Sequence, residues 1–344
     1  MRRYARLVLW SAEKHGPPDP AAPEHPRWRR AAMLLVAPLT IVVLLGGLAA
    51  LGVWPFSGEA SERPRAAAAA GPKAKTERFD VTRAMATARM QTDAGPRPAG
   101  SVTARKVGER LRRMLPGGRF EAVPGHPGLR NIVGSVGGSG PVLVVASHYD
   151  TLTYPKGHLG GNNAAAAVGA VIELARFARS AKRPEASRGI RFVLFDGEQQ
   201  TSRDSSRFYE LGLRGSKAYV RAHAEEVEAL VLLDYIGNRR LRLPREGTSD
   251  PALWQRVRRA AQTAGVGSVF PDEVGVSVLD DTTPFQQAGI PTANLIDWND
   301  PHRHKLSDTY DKLSPASVDA VGEAVAQLIV DRDRAVAAGQ PFIP

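Results

Sequence analysis

The sequence predicts an α/β domain with a mostly parallel central sheet and helices on both faces, preceded by one N-terminal transmembrane helix. Three observations predict it. Residues 31 to 54 carry no charge. Farther along, strand-like apolar runs alternate with amphipathic helical ones, the signature of a sheet covered on both faces. Polar residues also gather where the apolar runs end, as they do in open α/β sheets that bind ligands at that edge.

The elements follow in order. The stretch AAMLLVAPLTIVVLLGGLAALGVW, 24 residues from Ala31 to Trp54, is long enough to cross a hydrocarbon core of about 30 Å as a helix. Arg27, Arg29 and Arg30 precede it and Trp54 and Phe56 close it, so the positive-inside rule places residues 1–30 in the cytoplasm and the bulk of the chain outside it. A cleaved signal peptide with small residues at RAAAAAG (65–71) is the rival, but the leader is long and the apolar run exceeds a usual signal core. Residues 55–78 are small, charged and Pro-containing, and read as a linker to a domain over 79–344. There PVLVVASHY, GIRFVLFD, EALVLLDYIG and IPTANLID read as strands. AAAAVGAVIELARFA, GSKAYVRAHAEEV, TPFQQAG and SPASVDAVGEAVAQLIVDRDRAVAAG read as helices, the last capped by Ser314 or Ser317.

Composition narrows the chemistry. With 344 residues and 43% hydrophobic content, the chain can bury the core of one large domain. It has no cysteine, which excludes disulfides, thiolate metal sites and a cysteine nucleophile. The formal charge is +11, but seven Arg or Lys against three acids fall within the first 32 residues and the rest is diffuse, so nucleic acid is not an expected partner. The strand ends supply His148 and Asp150, then Asp196, Glu198 and Gln199, then Asp234, and a final loop with His302 and His304. Imidazoles and carboxylates from separate loops are the residue types of a zinc site. Each alone is more simply a hydrogen-bonded structural residue or a helix cap; their convergence on one sheet edge is the argument.

Seven stretches in order, GPRPAGS (95–101), SHYDT (147–151), GGNNAAAAVGAVIELAR (160–176), FVLFDGEQQ (192–200), LLDYIG (232–237), DDTTPFQQAGIP (280–291) and HKLSDTYDKLSP (304–315), resemble the signature segments of the M28 family of zinc exopeptidases, which includes the glutaminyl-peptide cyclotransferases. The resemblance covers roughly residues 79 to 335 and implies zinc and action at peptide N-termini. It also implies roles. His148, Asp234 and His304 match metal ligands; the bridging aspartate falls on Asn163 and the ligand glutamate on Gln199. Glu198 matches the general acid or base, Asp280 an active-site aspartate of the cyclotransferases, and Asp150 the carboxylate that orients the metal histidine. The cyclotransferases' Trp before the last histidine is Arg303 here. A one-residue shift would put Asn162 at the bridging position, still an amide.

An amide offers a neutral oxygen and cannot bridge two metals as a carboxylate does, so zinc affinity is expected to fall by orders of magnitude. Two functions remain open. One is an active enzyme that hydrolyses or cyclises peptide N-termini, its variant zinc site using His148, Asp234 and either His158 or His302. The other is a membrane-tethered pseudoenzyme that binds a peptide or protein without chemistry.

Overall fold

The computed structural model describes residues 73–138 and 140–343. The expected transmembrane helix, 31–54, lies outside the described residues. Among those described, no helix is long and apolar enough to cross a membrane.

Six strands form one sheet in the order β1-β2-β4-β3-β5-β6: β1 Arg119–Ala122, β2 Arg130–Val136, β3 Val142–His148, β4 Ile190–Phe195, β5 Val227–Asp234 and β6 Thr292–Ile296. The sheet is mixed: β4, β3, β5 and β6 run parallel, but β1 and β2 add an antiparallel edge. The physical reason lies in the composition of β1, RFEA, whose residues are exposed or half-buried. Such a strand serves at an edge, where one side faces water. The central strand β3, VLVVASH, is buried along its whole length, as a strand covered on both faces must be.

One face carries the helices α1 (Val81–Asp93), α3 (Ala166–Ser180), α6 (Pro251–Ala264) and α8 (Pro315–Ala337), whose apolar sides share a core with Leu143, Val145, Phe192 and Val231. On the other, Tyr219 from α5 (Arg214–His223) and Phe285 from α7 (Thr282–Gln287) pack on Val144, Phe195 and Leu232. A further helix, α2 (Val102–Met114), and a short turn, α4 (Phe208–Leu211), complete the α-helices of the described residues. Helix α8 is capped by Ser314, which accepts from the Ser317 N–H. The last residues of the expected linker lie against the domain: Lys75 donates its N–H to Ala264 O at 2.8 Å, and Glu323 accepts from Thr76, Arg78 and Phe79.

Parallel register brings the strand ends to one edge. His148 pairs with Phe195, Ala146 with Leu232, and Asp234 with Ile296, so the segments after β3, β4, β5 and β6 leave the sheet side by side. Helix α3 leads directly out of a wider turn, Gly161–Ala165, and its position sets the loop that carries Asn163. Gly169 fixes how closely α3 approaches α1, because a Cβ at this position would clash with the backbone carbonyl of Ala84. Replacing Gly169 with Ala should therefore destabilise the domain by roughly 1–3 kcal/mol through overpacking, read as a lower midpoint in urea with an unchanged slope. An unchanged midpoint would show that α1 yields at no cost.

Candidate active-site pocket

The strand ends place three buried polar atoms in a small triangle. His148 Nε2 lies 3.9 Å from Glu198 Oε2 and 3.9 Å from Asp234 Oδ1, and none of the three atoms has a hydrogen-bond partner. Behind the ring, His148 Nδ1 sits 3.1 Å from the Asp150 main-chain oxygen and 3.5 Å from Asp150 Oδ1. The Asp150 carboxylate also accepts from the main-chain N–H groups of Glu198 (3.1 Å) and Gln199 (3.0 Å). One buried carboxylate thus orients the imidazole and fixes the turn after β4.

The two amides at the expected ligand positions bond to one another. Gln199 Nε2 donates to Asn163 Oδ1 at 3.4 Å, and Asn163 Nδ2 donates to the Tyr235 hydroxyl at 2.6 Å. The loop is held from beneath by Asp308, which accepts from the main-chain N–H of Asn162 (2.6 Å) and Asn163 (3.1 Å). Asn162 is a structural residue: its side chain donates to Asp300 and accepts from the Gly237 N–H. Asn163, not Asn162, lines the pocket.

That pocket has a volume of about 670 Å³, a size typical of ligand sites. Glu198, Asp234 and Asp280 line its floor, with Asn163, Gln199 and Tyr235 beside them; Phe208, Trp298, Arg303 and His304 form part of its walls. Asp280 is held by Asn294 Nδ2 (2.7 Å) and the Asp281 N–H (2.7 Å). His304 has a left-handed backbone (φ 58°) and reaches the wall, its ring 6.5 Å from that of Tyr235. Neither alternative histidine reaches the pocket lining. The buried His158 lies 3.6 Å from Asp308, and His302 pairs with Ser307 at 2.9 Å.

The electrostatics follow from burial. Burial disfavours the charged forms of Glu198 and Asp234 and raises both pKa values well above the carboxylate range, with Asp280 adding to the rise and His148 opposing it. Burial alone would lower His148, but Glu198, Asp150 and Asp234 reverse this and raise it well above its usual value. His304 is lowered to about 4 by burial and by Arg303 and His148. Asp281, behind Asp280, is raised to about 8 by burial and by that neighbour.

Among the described residues, no group of three or more His, Asp or Glu is placed to hold a metal ion. The donor chemistry agrees. Asn163 Oδ1 is engaged by Gln199, and the Gln199 amide presents its NH₂ to Asn163. Both would have to break this bond and would then offer only neutral oxygens. The residues present do not fit the zinc centre that the sequence resemblance implies.

Sequence reasoning missed Tyr235 and Asp308, although both stand in segments it singled out, LLDYIG and HKLSDTYDK. It also missed the aromatic walls Trp298 and Phe208, for which no motif gave a signal.

The domain is a mixed α/β sheet flanked by helices, with His148, Glu198 and Asp234 converging at the ends of its parallel strands. The chain belongs to Peptidase family M28, whose model matches residues 131–329. Glutaminyl cyclase from Porphyromonas gingivalis superposes with a TM-score of 0.66 at 25% identity, over 74% of this chain and 99% of that one. A leucine aminopeptidase precursor from Bacteroides thetaiotaomicron does so with a TM-score of 0.66 at 26% identity, over 75% and 99%. A Zn-dependent exopeptidase from Parabacteroides distasonis shares the fold, with a TM-score of 0.63 at 21% identity over 73% and 98%. No curated protein matches.

The pH dependence of stability has a defined sign. A buried carboxyl raised to about 8, as Asp281 is, keeps a proton that the unfolded chain releases near pH 4. Stability from this group is complete below about pH 4 and is lost as the pH rises towards 8. Asp196, raised to about 7, and Asp308, raised to about 6, both mainly by burial, act in the same direction. Between about pH 4 and 6.5 the buried His158 and His304, both lowered to about 4 mainly by burial, act in the opposite sense, so the melting temperature should fall from about pH 6.5 to pH 8.5. Asp281→Asn should flatten that slope and raise the pH 8.5 value by a few degrees, on the order of 2–4 °C per kcal/mol recovered. A slope of the opposite sign would refute the assignment.

Proposed function

We propose that this M28 domain binds peptide N-termini in its pocket without the zinc-dependent turnover typical of the family, and that residues 31–54 anchor it as a single-pass protein with a cytoplasmic N-terminus. The observation that carries the reading is the hydrogen bond between Gln199 and Asn163, continued to Tyr235, at the two positions where the resemblance implies carboxylate ligands. Two carboxylates so close together would repel in the absence of a metal; two amides attract. The remaining floor suits an amine. Glu198 Oε2 and Asp234 Oδ1 are buried acceptors without donors, and an α-ammonium carries three N–H donors.

A second reading, turnover at the N-terminus, is favoured by Glu198 itself. A buried carboxyl whose pKa is raised by burial and which faces His148 is equipped to give and take a proton. In cyclisation, an N-terminal glutamine amine attacks its own side-chain carbonyl and ammonia leaves; Glu198 would carry the proton from the attacking amine to the departing ammonia.

The two readings separate in one assay. Glutaminyl peptides and amino-acid amides are supplied to the wild-type chain, to Glu198→Gln, and to Asn163→Asp combined with Gln199→Glu, each with added zinc. The binding reading expects wild type to equal Glu198→Gln and the folded double variant to gain turnover of at least about 100-fold, the scale of a lost metal interaction. Wild-type turnover abolished in Glu198→Gln would establish the second reading. A folded double variant with neither zinc nor turnover would show that the amides are not what stops the chemistry.

A further inference from the structure

The pocket differs chemically from floor to mouth. On the floor, Glu198 and Asp234 are each 7% exposed and Asp280 is 2% exposed. The unpartnered oxygens Glu198 Oε2 and Asp234 Oδ1 belong to these pocket-lining side chains. The mouth carries the opposite charge. Arg203, from the loop after β4, lies over the Tyr154 ring with its guanidinium carbon 4.4 Å from the centroid, and Tyr154 is 44% exposed. Arg303, from the loop after β6, lies 3.8 Å over the Trp298 ring and donates Nε to the Trp298 carbonyl at 3.1 Å. All four side chains line the same cavity. Among the described residues, neither guanidinium has a carboxylate partner.

This arrangement selects a ligand. Stacking on an aromatic ring pre-orients a guanidinium and leaves its terminal N–H groups pointing outward, so less freedom is lost when a carboxylate docks in its fork. An ordinary peptide N-terminus satisfies the floor and leaves the mouth idle. A ligand that satisfies both ends has a free α-amine and one or two carboxylates a short way along. We propose that the pocket is specific for peptides with a free N-terminus followed by acidic residues, the amine directed to Glu198 and Asp234 and the acidic side chains to Arg203 and Arg303. The proposal rests on the reading that this pocket receives peptide N-termini, and names the class of N-terminus.

Calorimetric titration of the full-length chain with three tetrapeptide amides tests it: Ala-Glu-Glu-Ala, Ala-Gln-Gln-Ala, and N-acetylated Ala-Glu-Glu-Ala. The glutamate peptide should bind about 5- to 10-fold more tightly than its glutamine counterpart, the scale of two partly exposed charge pairs. Acetylation should weaken it by about 10- to 100-fold through loss of a charged donor. In Arg203→Gln combined with Arg303→Gln, the preference for glutamate should collapse to about onefold. Equal binding of the two free peptides by wild type would overturn the acidic specificity while leaving the N-terminus reading intact. Binding indifferent to acetylation, or no binding of any peptide, would overturn both. A glutamate preference that persists in the double arginine variant would assign it to other groups and overturn the role of the mouth.

Discussion

Burying several carboxylates around a single imidazole is the constraint that shapes this end of the sheet. The parallel register of β3, β4 and β5 leaves Glu198 and Asp234 beside His148, with Asp280 lining the same pocket as the two carboxylates, and charges so placed are costly unless paired, protonated or held by a metal. Raised carboxyl pKa values and a raised imidazole are one response. The amides at Asn163 and Gln199 are a second, because neutral side chains add no further negative charge to the same space. The Gln199–Asn163–Tyr235 chain then supplies hydrogen bonds where charge neutralisation would otherwise be required.

The scaffold around that change is intact. Asp150 still orients His148 and still holds the Glu198 turn; Asp308 still fixes the loop of Asn163. Arg97, fully buried, ties the Gly-Pro-Arg-Pro segment to the same region by donating to the carbonyls of Gln91, Tyr149 and Leu159. These supports shape a pocket whether or not chemistry occurs in it, since a fold does not by itself fix the chemistry of its site.

Much of this was legible in the sequence. The four parallel strands are apolar runs that end in polar residues, and burial along most of their length produces that pattern, VLVVASH most clearly. The antiparallel edge was not legible: β1 is four half-exposed residues with no alternation, and its pairing with β2 is a tertiary matter. Helix α2 escaped notice although Ala104, Val107, Gly108 and Leu111 recur at helical spacing, because arginines crowd its other face. In the pocket, Glu198, Gln199 and Asp234 were legible as polar residues ending apolar runs, and Asn163 only through the family resemblance. The bond between Gln199 and Asn163 could not be read, since it joins loops after different strands, and the stacked arginines depend on rings far away in sequence.

Zinc stoichiometry of the native chain tests the central claim most directly. Elemental mass spectrometry is applied to protein purified without chelator and again after equilibration with excess zinc and desalting. The account predicts well under one tightly held zinc per folded chain in both samples. One or two retained per chain, lost together on Gln199→Leu, would contradict it and show that the amides serve as ligands.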